Sequence, residues 1–503
     1  MSLFTRPTTN LALPFLLTIT LSGCSAMRSY DDELKQTINL VEQGQIDQAL
    51  TQHESNNTGG DFDLLYYLEK GELLRLKNQY KGSAGAWLLA DQKVKEWENE
   101  AKIRAGAILE NVGTVVLNDK TRRYDGHDYE KVMLSTQLAL DHLLSGDWNS
   151  ARTEIKKTHE REAIIAEINA KDTEALEQES KEKGITTTFK DLNGYPVETL
   201  NSAEVTALKN GYQSAFSHYL AGFVYEALNE QGLASPGYRQ AIELQPNIKI
   251  LEDGLATLET RPSLRKPTET DVLFVVESGA APALSSVTIP VPVIVSNLGV
   301  IPISFPVLHS DPSRTLQPST VGIDGKDTLP LAAVTNLDAM SKRALRDDMP
   351  GIIVRGVLRA AAKTMSQKAL MDQGGGAAIA GIALNVANVV TESADERTWR
   401  TLPATISIGR VTLPSGKHDI AIGNSKQSVD IQGSHAIVVT RLLGNQVYWS
   451  QPAYGPQMPV YAAPAVIQPT ENTENAAVTE PIKKAPSKLK KKKAPKSVTQ
   501  AQG

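Results

Sequence analysis

One cysteine in 503 residues leaves no intrachain disulfide and no CxxC pair for a metal or redox centre. The eight histidines are dispersed and no HExxH occurs, so metal-ligand spacings are missing as well. There is no GxSxG turn, and the GKD at Gly325 to Asp327 lacks both the upstream glycine spacing and the terminal Ser/Thr of a phosphate loop. An SxxK at Ser180 to Lys183 lies in the most charged stretch of the chain, where a water-exposed lysine keeps its proton and cannot activate a serine. No apolar run reaches the roughly 20 residues that a membrane-spanning helix needs. These absences predict no cofactor, no metal, no catalytic residue and no enzyme activity.

The cysteine is placed tellingly. Cys24 closes the string Leu21, Ser22, Gly23, Cys24 after an apolar stretch that begins at Leu11. This resembles the lipobox of bacterial lipoproteins, in which small residues expose the bond before a lipidated thiol. Residues 1–23 then form a signal peptide, residues 24–29 a lipidated linker, and Cys24 the membrane attachment point. Ser25, by the same resemblance, implies sorting to the outer membrane, with the body facing the periplasm. Three acyl chains on one cysteine exceed the single chain at which anchoring is marginal.

Charge is unevenly divided. Without residues 1–23 the chain has 51 basic and 57 acidic residues, and the segment after Gln451 carries eight lysines against three glutamates. A body at −11 therefore carries a tail at +5. The tail, residues 451–503, is rich in Pro, Ala, Thr, Glu and Lys without apolar period and is expected to be disordered. Its lysines lack interleaved aromatics, so nucleic acid is not an expected partner.

The expected fold class is α+β, with a helical-repeat domain over 30–262 and a mixed α/β domain over 268–450, parted by Pro262 and Pro267. In the first, apolar residues recur at helical spacing. From Ala215 to Ile248, Gly222, Tyr225, Ala234, Tyr238, Ala241 and Pro246 match the 34-residue tetratricopeptide (TPR) pattern. Earlier units are degenerate: Gly44 and Ala49; Gly71 and Ala90, with Ser83 where the pattern wants alanine; Ala139, Gly146 and Ala151. The charged continuation to Lys183 reads as a protruding solvated helix, and a second charged helix is expected from Ser202.

In the second domain, Asp271 to Glu277 (DVLFVVE) reads as a buried strand. Val287 to Val307 reads as a hairpin with one apolar face, its edges blunted by Pro290, Pro292, Pro302 and Pro306. That face needs cover from its own domain, a partner or lipid. A helix from about Asp338 to Ala369 carries Arg355, Arg359 and Lys363 along one stripe, and with Arg397 and Arg400 around Trp399 these are candidate anion-binding residues unless acids of the body pair with them. A glycine-opened apolar run follows at Gly374, and the short strands after Thr405 read as a small β-sandwich-like end.

Three blocks, Tyr129 to Glu154 (YEKVMLSTQLALDHLLSGDWNSARTE), Ser217 to Leu228 (SHYLAGFVYEAL) and Ala394 to Ala404 (ADERTWRTLPA), together resemble a family of largely uncharacterised proteobacterial lipoproteins with TPR-like N-terminal halves. The resemblance implies an envelope lipoprotein and no established enzyme activity. The expected function is a periplasmic scaffold in envelope assembly or regulation, binding envelope proteins through its helical-repeat surface. Two other classes stay open: an enzyme acting on peptidoglycan or another envelope polymer, which a pocket of converging acids would favour, and a membrane-inserting or pore component using the apolar hairpin.

Overall fold

The computed structural model describes residues 30–57, 62–104, 123–186, 188, 192–293, 299–310, 316–325, 327–372 and 393–455. The lipobox, Cys24, the glycine-opened run after Gly374 and the tail beyond 455 lie outside them.

Four helix pairs form the N-terminal region: α1 (Tyr30–Glu42) with α2 (Ile46–Ser55), α3 (Leu64–Leu76) with α4 (Tyr80–Arg104), α5 (Asp128–Leu144) with α6 (Trp148–Lys183), and α7 (Ala215–Ala227) with α8 (Gln231–Leu244). Each pair turns through three residues, and the middle one has positive φ: Gly44 at 79°, Asn78 at 58°, Gly146 at 79° and Asn229 at 61°. Glycine and asparagine tolerate this left-handed geometry, which reverses the chain without a longer loop. Seven residues before each turn sits Thr37, Gly71, Ala139 or Gly222, and at matching offsets in the second helix come Ala49, Ser83, Ala151 and Ala234, all fully buried. Opposite Gly222 lies the Tyr238 ring, and opposite Gly71, at the same offset, the Trp87 indole. Ala241 is buried in the same core, Tyr225 is 4% exposed, and Pro246 lies in the loop after α8. A further helix, α9 (Lys249–Ala256), closes the array by setting Gly254 against Tyr219 and Tyr238.

The C-terminal strands are β1 (Glu269–Ser278), β2 (Ala283–Val293), β3 (Gly299–His309), β4 (Thr320–Ile323), β5 (Asp327–Pro330), β6 (Ala332–Asn336), β7 (Thr405–Pro414), β8 (Gly416–Ile422), β9 (Ser425–Ile431), β10 (His435–Leu443), β11 (Gln446–Trp449) and β12 (Ala453–Tyr454). The main sheet runs β11-β10-β1-β7-β6, with β12 also on β10. β1 is parallel to β10 and antiparallel to β7. It is buried on both faces, as its unbroken apolar run requires. Val272, Phe274 and Val276 point to a second sheet, β5-β4-β8-β9, and meet Val321, Ile420, Ile422 and Val429. Leu273 and Val275 point the other way, into the helix pairs.

That shared core departs from the expectation of two separable domains. The described residues form one compact unit, and one cluster joins Leu68, Trp87, Leu138, Phe216 and Phe223 of the helices to Leu273, Val275, Ile408 and Val439 of the sheet. Residues 262–268 mark the change from helix to strand and no break between cores. The boundary at 450 also moves, because Ala453 and Tyr454 pair with Ile437 and Ala436.

The hairpin β2–β3 sets Pro290 opposite Pro302. Two facing prolines fit only a pair that exchanges no N–H bonds, so both outer edges lose donors. Its apolar face is covered by the long helix α10 (Leu337–Asp372), through Leu345, Met349, Ile353 and Val357 against Ile289, Val291, Ile303 and Phe305. Ile185, Leu192 and Tyr195 complete this smaller core, with Leu176 of α6 packed on it, so the largely solvated end of α6 is tied to this core rather than free. The helix expected from Ser202 is a single turn, Ala203–Ala207.

A Cβ added at Gly222 would lie 2.6 Å from the Tyr238 ring, closer than side-chain carbons approach. Gly222→Ala should therefore destabilise the protein by about 1–3 kcal/mol through overpacking. Urea unfolding against Gly232→Ala, where nothing lies within 4 Å, checks this.

Candidate functional site

The three sequence blocks meet in the interior. The segment 393–401 approaches the helix pairs without strand or helix, and the side chains of α3 and α5 satisfy its backbone. Glu130 accepts from the Trp399 N–H at 2.7 Å and the Thr398 hydroxyl at 3.0 Å, while its other oxygen accepts from the His127 N–H at 3.0 Å and the Tyr124 hydroxyl. Four donors saturate this buried carboxylate, and burial together with that carboxylate pushes the Tyr124 phenol well above its usual range. Glu69 accepts from the N–H groups of Arg400 at 2.6 Å and Thr401 at 3.2 Å. Burial pushes Glu69 up to about 8, against the opposing pull of those N–H donors. Trp399 is fully buried edge-on to Trp87, with ring centroids 5.8 Å apart. Thr136 and Ser217 join the first two blocks by a hydroxyl–hydroxyl bond of 2.7 Å.

Two of the candidate anion-binding residues, Arg397 and Arg400, are engaged by acids of the chain itself. Arg397 is held by both oxygens of Asp395, at 2.8 and 2.7 Å, and lies over the Tyr124 ring. Arg400 reaches Asp31 at 2.6 Å and the Ala281 carbonyl at 3.1 Å. Arg355 is exposed on α10, Arg359 is buried, and the Lys363 side chain lies outside the described residues. Ser180, of the SxxK, donates to the Ile185 carbonyl at the end of α6.

Two buried polar clusters missed by the sequence reading lie between helices and sheet. Asp271 and Glu277 stand on one face of β1, the face that also carries Leu273 and Val275. Glu277 bonds Arg75 of α3 at 2.5 Å and Gln137 of α5 at 2.8 Å; Arg441 of β10 and Arg75 share Glu72, at 3.2 and 2.7 Å. Asp271 holds Arg410 of β7, which reaches on to Glu226 at 2.9 Å and the Tyr238 hydroxyl at 2.8 Å. Glu226, Asp271 and His435 offer oxygens and a nitrogen within 4.8 Å of one another, a grouping that suggests a cation site. Two guanidiniums answer that demand instead, because Arg410 bonds both acids and Arg261 bonds Glu226 at 2.5 Å. Burial lowers His435 to about 4, which keeps its imidazole neutral at ordinary pH. The sequence signal for these clusters was the acid at each end of DVLFVVE, with both acids in phase with the helix-facing residues.

A small cavity of ≈ 10 Å³ is lined by Tyr30, Glu33, His53, Asp63 and Tyr66. No family model and no curated protein matches this chain. A solved tetratricopeptide repeat protein from Parabacteroides merdae is similar at 11% identity with a TM-score of 0.13, covering 46% of this chain and 99% of that one. A likeness at that score carries no argument about the fold.

Arg410→Met should leave Asp271 and Glu226 buried with less compensation and cost about 3–5 kcal/mol. Adding Asp271→Asn to Arg410→Met should recover part of the loss, read by urea unfolding at neutral pH.

Proposed function

We propose that the protein is an outer-membrane lipoprotein, held by lipid on Cys24, that works in the periplasm as a TPR-like protein–protein interaction scaffold in envelope assembly or regulation. The lipobox supports the anchor and the address. The repeated helix pairs support the binding role, with one change to where a partner would sit. α5 and α7 are buried almost all round, because the main sheet covers the inner side of the array. The partner-facing surface is then the outer one, formed by the second helices of the pairs.

The observation that carries this reading is the apolar exposure there. Leu88 and Leu89 of α4 are 45% and 46% exposed, and Leu233 of α8 is 44% exposed. No described helix is long and apolar enough to cross a membrane. The hairpin face that would suit a pore component is occupied by α10.

Photo-crosslinkers at Leu88 and Leu233 should trap envelope proteins in intact cells. The paired change Leu88→Glu with Leu89→Glu should abolish those adducts and alter stability by no more than about 0.5 kcal/mol, as surface changes do. Adducts unaffected by the charges would contradict an outer-face site.

Cys24→Ser should yield an uncleaved or soluble precursor that takes up no labelled acyl chain. Equal labelling of the variant and the parent protein would contradict the lipid anchor.

A further inference from the structure

Ser83 occupies the position where the other three helix pairs have Ala49, Ala151 and Ala234, and it is fully buried with no hydrogen-bond partner for its oxygen. Asp141 of α5 faces it. Asp141 is itself fully buried, and no donor reaches either of its oxygens in hydrogen-bond geometry. One turn earlier on the same helix, Gln137 spends its N–H on Glu277, leaving its oxygen without a donor.

The charges around this point do not balance. Arg75 from α3 and Arg441 from β10 supply two positive groups; Glu72 from α3, Glu277 from β1 and Asp141 from α5 supply three carboxyls. Tyr80 of α4 faces the same cluster. Glu72 and Glu277 take the guanidinium N–H bonds, and Asp141 takes none. A third unpaired anion in this buried junction would cost far more than a neutral acid. A proton on Asp141 removes the excess charge and adds a second donor where the Ser83 hydroxyl alone faces the carboxyl. Burial, reinforced by the charges of Glu72 and Glu277 and opposed by Arg75 and Ser83, pushes Asp141 up to about 8.

We propose that Asp141 is a buried proton-binding site, that its protonated carboxyl hydrogen-bonds the Ser83 side chain, and that this proton makes the docking of the helix pairs on the sheet depend on pH. In the unfolded chain an aspartate loses its proton near about 3.9. Between that pH and about 8 the folded protein holds one proton more than the unfolded chain, so this group's contribution falls as pH rises across the window. An ion-paired carboxylate behaves in the opposite sense.

The test compares full-length protein with Asp141→Asn by urea unfolding from about pH 5 to about pH 7.5, where the ratio of their folding constants should fall about tenfold per pH unit. A ratio independent of pH overturns the proposal. Should Asp141→Asn fail to fold, the wild-type protein at neutral pH should show the infrared C=O stretch of a protonated buried carboxyl, and Ser83→Ala should shift that band. Absence of the band, or a band unmoved by Ser83→Ala, overturns it equally.

Discussion

β1 presents to the helices, in order, Asp271, Leu273, Val275 and Glu277: two apolar residues bracketed by two acids. Removing a carboxylate from water costs several kcal/mol unless cations and donors replace the lost hydration. Those replacements come from elsewhere in the chain. Glu277 draws on Arg75 and Gln137 of the helices, while Asp271 draws on Arg410, which also donates to Glu226 and the Tyr238 hydroxyl of the helices. Sliding or lifting the sheet from the helix pairs would separate Glu277 from Arg75 and Gln137, and Arg410 from Glu226 and Tyr238, while Asp271 would keep Arg410 of its own sheet. The apolar residues between them supply much of the driving force for burial, and the acids restrict it to one register.

That junction bears on function. A helical array with an open inner face could receive a partner there, whereas here the sheet and the segment around Trp399 fill it, with Glu69 and Glu130 holding the backbone of that segment. The repeats therefore act first as the protein's own clamp. In the proposed scaffold role, the sheet stiffens an outer surface for partners, and the short linker from Cys24 to α1 keeps that surface near the bilayer.

Much of the helical region was legible in the sequence because its packing is local. Gly222 and Tyr238, like Gly71 and Trp87, belong to adjacent helices, and a small residue facing a ring at a fixed offset can be read without knowing the rest of the fold. The proline-edged hairpin was legible for a similar reason. What covers it was not, since nothing in the period of β2 and β3 points to α10 or to Tyr195. That acids of the body pair with the arginines near Trp399 was open to expectation, but which acids was not, since one of them, Asp31, lies far away in sequence. The contacts that join Leu68, Trp87 and Phe216 of the helices to Leu273, Val275 and Ile408 of the sheet are also distant in sequence, so one continuous core looked like two domains. Ser83 was visible as a departure from the repeat, but its counterpart Asp141 lay in another helix pair.

Native-state hydrogen exchange tests most directly whether helices and sheet form one body, by comparing the amides of Phe216 to Val224 in α7 with those of Val272 to Val276 in β1. If the charged ends of β1 lock the two regions together, both sets should exchange through a single opening with the same free energy and the same denaturant dependence. Amides of α7 exchanging through a smaller opening while β1 stays protected would contradict the account.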